Sequence, residues 1–283
     1  MTDMQIQTIL LATDLSARCD RATERAISLA QHWNARLHVL TVIDPVVDDA
    51  EAVVLAEAEA RRNTGIRLKG YSDSIVHVQI GAVEARVADL AREVNADLIV
   101  TGPSGTQWLG QTILGGTLKF LMRRAHVPVL LVKKPVTRDY RRVMVSMDLS
   151  DASRAPVETA FRTFGRSVSL SMFHAFRTPY RLFSGDTEAY EAGKRDGVTL
   201  EIRDALKAWN IETAEHLPVI ADHGDPATKL AELVDKHDVD LVVTGTHGRT
   251  GLLNLMLGSV AEAIVETVTC DVLVVPSRGA WPD

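Results

Sequence analysis

The sequence predicts an α/β protein built from two Rossmann-like, doubly wound modules. Each is expected to hold a five-stranded, mostly parallel sheet with helices on both faces. Three observations carry that expectation. The chain is written twice. Its apolar runs are short and continuous rather than alternating, as strands buried on both faces require. Between them lie segments with apolar residues three to four apart, the spacing of an amphipathic helix. Such strand–helix alternation is the pattern of a doubly wound sheet with right-handed crossovers.

The repeat is the firmest of the three. Thr13-Asp14-Leu15-Ser16, after Ile9-Leu10-Leu11-Ala12, returns as Met147-Asp148-Leu149-Ser150 after Val143-Met144-Val145-Ser146. Asp97-Leu98-Ile99-Val100-Thr101-Gly102 returns as Asp240-Leu241-Val242-Val243-Thr244-Gly245. From Gly81 and Gly224 the copies align without a gap to Lys134 and Ser277, with 15 identities over 54 positions. The modules are placed at residues 1–136 and 140–283. The polar, proline-containing stretch Lys134–Asp139 joins them and is short enough to keep them packed together.

In the first module, strands are expected at Thr8–Ala12, Leu37–Val42, Val76–Ile80, Leu98–Thr101 and Val127–Val132. Helices are expected over roughly 18–33, 48–62, 84–95 and 117–125. In the second, strands fall near 142–147, 168–173, 213–219, 241–244 and 272–275, and a helix runs from Val260 to Val268.

Composition narrows the function. The chain has 283 residues, 46% hydrophobic and 24% charged, the balance of a folded globular protein. No apolar run approaches the ~18 residues of a membrane span, and the N-terminus offers no signal-peptide pattern. Two cysteines, Cys19 and Cys270, make no disulfide framework and are read as small apolar fillers. A cytoplasmic protein is expected. The net charge of −6 arises wholly in residues 140–283, and neither half has the basic excess that nucleic-acid binding leaves. Lys133-Lys134, with Arg123-Arg124, is read as a solvated basic patch. No His/Cys spacing suits zinc and no Gly-x-Ser-x-Gly turn is present, so no catalytic or metal-ligating residue is nominated.

Ligands of open parallel sheets bind beyond the carboxyl ends of the strands. Asp148 lies there, as does the loop Gly245-Thr246-His247-Gly248-Arg249-Thr250-Gly251, which runs on to Gly258-Ser259. Glycines admit a phosphate close to backbone N–H groups, and the helix that Ser259 opens adds a partly positive N-terminus. The plainer alternative makes Gly245 and Gly248 turn residues, Ser259 and Glu262 a capping box, and Asp148-Leu149-Ser150-Asp151 a set of helix caps. Neither the dinucleotide nor the P-loop fingerprint is present.

The pattern Gly245-x2-Gly248-x9-Gly258-Ser259, between an Asp-Leu-Val-Val strand and Cys270-Asp271-Val272-Leu273-Val274-Val275-Pro276, resembles the signature of the universal stress proteins. Two copies in one chain resemble the tandem members of that family. The resemblance covers nearly the whole chain. It implies a stress-response protein that binds ATP, ADP or AMP, with or without Mg²⁺, as a regulator rather than a dedicated enzyme. Carried over by position, Asp148 would meet the ribose or adenine and Ala175 would line the adenine slot. Gly245, His247, Gly248, Arg249, Gly258, Ser259 and Val260 would surround the phosphates. Weaker candidates in the first module are Asp14, Gly102, Gly105, Gly115 and Thr117. There Gly116 replaces the serine, Pro103 removes a backbone donor, and Ser104 and Thr106 replace His247 and Arg249. One competent site is therefore expected, in the second module. The resemblance also implies that the last strand of each module mediates their pairing, with a homodimer expected too. Two other functions fit the same residues: a slow ATP hydrolase or phosphotransferase using that site, and a nucleotide-free interaction scaffold.

Overall fold

The computed structural model describes residues 6–43, 50–68, 71, 73–103, 107–108, 111–112, 114–177, 187–211, 216–246 and 257–276. The first repeat contributes β1 (Thr8–Ala12), α1 (Asp20–Trp33), β2 (Arg36–Ile43), α2 (Ala50–Arg67), β3 (Ser74–Ile80), α3 (Val83–Glu93) and β4 (Leu98–Thr101). A two-residue pair, β5 (Gln107–Trp108) with β6 (Gln111–Thr112), precedes α4 (Gly116–Arg124) and β7 (Val129–Leu131). The second contributes β8 (Arg142–Ser146), α5 (Arg154–Phe164), β9 (Ser169–Phe176), α6 (Thr187–Ala208) and β10 (Val219–His223). It ends with α7 (Pro226–His237), β11 (Leu241–Gly245), α8 (Ser259–Thr267) and β12 (Asp271–Val275).

The two expected five-stranded sheets are halves of one ten-stranded sheet, ordered β10-β9-β8-β11-β12-β7-β4-β1-β2-β3. Within each half every neighbouring pair is parallel. The halves meet through β7 and β12, which run antiparallel with Leu130 opposite Leu273. Those two leucines are equivalent in the repeat, so a pseudo-twofold axis passes between them. The last strands do join the two repeats.

Successive strand residues face opposite sides of the sheet, and the core divides accordingly. Ile9 and Leu11 pack with buried residues of α1, α5 and α6, while Leu10 packs with those of α3, α4, α7 and α8. Helices thus cover both faces, and continuous apolar strands are what such a sheet requires. Each first strand is also clamped at its start. Asp97 accepts from the N–H groups of Gln7 and Thr8 at 2.8 and 2.9 Å, and its equivalent Asp240 from those of Arg141 and Arg142 at the same distances.

Three expectations need correction. The third strand of the second repeat is Val219–His223, not 213–219. Pro218 lacks an N–H and so precedes the ladder, lending only its carbonyl to Met172. Helix α2 runs past Asn63 and Gly65 to Arg67; Thr64 bonds back to the Ala60 carbonyl at 2.7 Å and Leu68 beyond it is buried. Lys133 is not solvated. It is buried at the seam between the repeats, where its Nζ donates to the carbonyls of Val265 and Val268 at the end of α8.

That seam carries a polar network around Asp271, which has no exposed surface. One carboxylate oxygen accepts from the N–H groups of Lys133 and Lys134 at 2.8 and 2.9 Å. The other accepts from the Tyr140 hydroxyl at 2.7 Å and lies 3.6 Å from Arg25 Nε. The Arg25 guanidinium sits 4.1 Å over the Tyr140 ring. Residues 134–139 form no helix or strand, and the Arg25 and Ser28 side chains of α1 bond Arg138 and Asp139 within them. Among the described residues, no helix is long and apolar enough to cross a membrane.

Candidate functional site

At the carboxyl ends of β8, β9 and β11, beside the start of α8, lies a cavity of about 290 Å³. β8 is central in its half, with β9 on one side and β11 on the other, so the cavity occupies the point where strand order reverses. Of the candidate residues, Asp148, Ala175, Gly245, Gly258, Ser259 and Val260 all line it. His247, Gly248 and Arg249 lie outside the described residues, as does Gly105 in the first repeat.

Asp148 is held by its own neighbourhood rather than used as a helix cap. Its Oδ1 accepts from Ser150 N at 3.0 Å, Ser150 Oγ at 2.5 Å and Ser153 Oγ at 2.7 Å. The turn that permits this puts Leu149 at φ 63°, and the equivalent Leu15 at φ 59°, in the left-handed region. That conformation costs a leucine about 1–2 kcal/mol, and both repeats retain it directly after the aspartate.

The capping-box reading also fails. Gly258 is the N-cap of α8 and offers no side chain, Ser259 is the first helical residue, and among the described residues no side chain caps the start of the helix. Glu262 instead pairs with Lys119 of α4, in the other repeat. Among the described residues, no anionic side chain bonds the N-terminal N–H groups of α8, which face the cavity. The preceding loop is closed at its base by Gly258 N–H donating to the Thr246 carbonyl at 2.8 Å, while Thr246 N–H donates to Val275 at 3.1 Å.

Sequence reasoning missed Phe173, His174, Pro226, Thr244 and Thr246 in the lining. His174 Nδ1 lies 2.8 Å from the Met147 carbonyl, which only accepts, so the proton sits on Nδ1. A signal existed for two of them: Thr244 and Thr246 flank Gly245 at the carboxyl end of β11, whereas Phe173 and His174 lie within β9 and Pro226 opens α7.

The first repeat has a smaller counterpart, about 190 Å³, lined by Asp14, Gly102, Pro103 and Thr117 among others. Burial pushes the Asp14 carboxyl upward, but hydrogen bonds from Ser16 and Cys19 and the Arg18 charge outweigh it and hold it below the ordinary carboxylate value. Gly102 has a packing reason. A Cβ there would lie 3.2 Å from the Arg18 carbonyl and from Cys19 Sγ, and 3.3 Å from Cys19 Cα. Gly115 is the N-cap of α4, and the Thr117 hydroxyl donates to Glu84 Oε1 at 2.8 Å. The N–H that Pro103 lacks is not a ligand donor, because its equivalent, that of Thr246, is spent on Val275.

A model of the universal stress protein family matches the chain twice, over residues 5–133 and 139–276. The chain belongs to the universal stress protein family. A universal stress protein of Mycolicibacterium smegmatis is 28% identical over 297 residues, spanning 95% of this chain and 97% of that one. One from Mycobacterium tuberculosis is 26% identical, spanning 94% and 81%. The crystal structure of a universal stress protein from Archaeoglobus fulgidus superposes with a TM-score of 0.73 at 18% identity, covering 97% of this chain and all of that one. That last likeness speaks to the fold alone. The family pattern fills this chain with two copies.

Proposed function

We propose that residues 140–283 form a nucleotide-binding module that takes ATP, or its di- or monophosphate, as a regulatory ligand. Residues 1–136 form a module without a competent phosphate site. The observation carrying this reading is the cavity itself. Six residues named from spacing and family resemblance converge on it, and its phosphate end is a helix N-terminus whose N-cap, Gly258, has no side chain to offer. In this reading Asp148 accepts from the ribose, Ala175 lines the base slot, and the N–H groups following Gly258 bind phosphate. His247, Gly248 and Arg249 complete the phosphate shell, and Mg²⁺ arrives with the nucleotide. Both cysteines are buried and unbonded, which suits a cytoplasmic protein.

The test is thermal unfolding with and without millimolar ATP and Mg²⁺, on the wild type and on Gly258→Asp. The variant places a carboxylate where the phosphate would sit. Ligand at 100 times its dissociation constant stabilises the folded state by about 2.7 kcal/mol. A rise in the wild type that is missing in the variant supports the proposal. No rise in the wild type, or equal rises in both, overturns it.

A further inference from the structure

The smaller cavity of the first repeat differs from its counterpart in one chemical respect that decides what it can hold. Thr117 is the second helical residue of α4, and its hydroxyl bonds Glu84 Oε1 at 2.8 Å. A carboxylate is thereby fixed on the first turn of α4, at the helix end that attracts an anion. The equivalent of Glu84 in the second repeat is Ala227, and the N-cap of α8 there, Gly258, has no side chain. Glu84 thus sets a carboxylate beside Thr117 of the cavity wall, where the second repeat has no acidic side chain at the equivalent position. With Asp14 lining the cavity itself, a phosphate approaching the start of α4 would be repelled by two carboxylates. The rest of the cavity remains open. Ala12, Leu40, Val42, Val87, Leu118 and Leu121 give it an apolar wall, while Asp14 and Thr101 supply acceptors at the strand ends.

We propose that this first-repeat cavity is a second binding site, for an uncharged ligand of nucleoside size or smaller that carries hydroxyl or N–H donors, and that Glu84 excludes phosphorylated ligands from it. The proposal draws on the nucleotide reading only for its probe, adenosine. At about 190 Å³ the slot is smaller than the ~300–1,000 Å³ of ordinary ligand pockets, which restricts it to ligands at the small end of that range. The carboxylates that repel phosphate can accept from a sugar hydroxyl or an amine. The two repeats would then read different parts of one chemical class, one with and one without its phosphates.

The experiment uses the full chain carrying Gly258→Asp and Ala175→Phe, so that both the phosphate end and the base slot of the second cavity are filled, and titrates adenosine and AMP by calorimetry. Adenosine is expected to bind at one site per chain, and AMP at least tenfold more weakly. Adding Glu84→Gln, which keeps a partner for Thr117 but removes the charge, should bring AMP to within about threefold of adenosine. Val42→Phe, which fills the slot, should abolish adenosine binding, with a circular dichroism spectrum checking that the fold persists. Three results would each overturn the proposal: no adenosine binding to the blocked chain, AMP binding as tightly as adenosine, or adenosine binding that survives Val42→Phe. Failure of the nucleotide reading would show separately, as no ATP-dependent stabilisation of the wild type.

Discussion

Replacing Asp271 by alanine takes away the acceptor for three donors at once: the N–H groups of Lys133 and Lys134 and the Tyr140 hydroxyl. It also strips the carboxylate facing Arg25, whose Nε has no hydrogen-bond partner and which is itself 4% exposed. Lys133, 7% exposed, would keep its carbonyl partners on α8 but lose its nearby counter-charge. Breaking a buried ion pair by deleting one member typically costs about 3–5 kcal/mol, because the surviving charge stays buried. That is a large share of the ~5–15 kcal/mol by which a folded protein is stable. The loss should appear in urea unfolding as a lower midpoint with an unchanged slope. Fluorescence of Trp33 and Trp209, one beside the core in each repeat, would follow both repeats together. Asp271→Asn, which keeps an acceptor for the two backbone N–H groups, should lose less. A loss within about 0.5 kcal/mol for alanine, the scale of an ordinary surface change, would refute the view that this carboxylate holds the seam.

Burial lowers the Lys133 ammonium to about 8, so the unfolded chain, with its ordinary lysine near 10.5, binds more protons above that pH. Stability should therefore rise by roughly 1 kcal/mol between pH 8 and 9. Beyond pH 9 the gain is opposed by Cys270, which burial pushes up to about 12 and whose unfolded thiol ionises first. Lys133→Met should flatten the rise, and urea titrations at the two pH values check it. Gly102→Ala forces a methyl against the Arg18 carbonyl and Cys19, and should cost about 1–3 kcal/mol. That is a fall of several degrees in Tm, whereas Gly116→Ala, with nothing within 4 Å of its Cβ, should leave Tm unchanged or slightly higher.

Most of the fold was legible because parallel strands buried on both faces leave unbroken apolar runs, as Leu10-Leu11 and Val272–Val275 do. The misplaced strand at Val219–His223 was legible too, since aligning Gly224 with Gly81 sets it against Ser74–Ile80. Local composition around Thr213 misled where the repeat would not have. Helix ends were less readable: Asn63 and Gly65 look like a stop, and the burial of Thr64 and Leu68 accompanies the continuation of α2. At the site, glycine spacing found the residues whose backbone matters. It was blind to His174 and Phe173, which are ordinary strand residues until the sheet brings their ends beside Asp148. The Asp271 network was invisible, because its members lie up to 246 positions apart and meet only through the antiparallel junction of β7 and β12.

The same junction has lost the symmetry its geometry retains. Across the axis, Lys119 pairs with Glu262, and those two positions are equivalent in the repeat. Two copies of the first repeat would set lysine against lysine there, and two of the second glutamate against glutamate. Lys133 corresponds to Pro276 and Asp271 to Pro128. A second repeat facing its own copy would bury Asp271 opposite a proline that has neither an ammonium nor an N–H to give. A first repeat facing its copy would bury Lys133 without the carboxylate. The joint has become polarised like a plug and socket, each half presenting a face that satisfies the other and not its own copy.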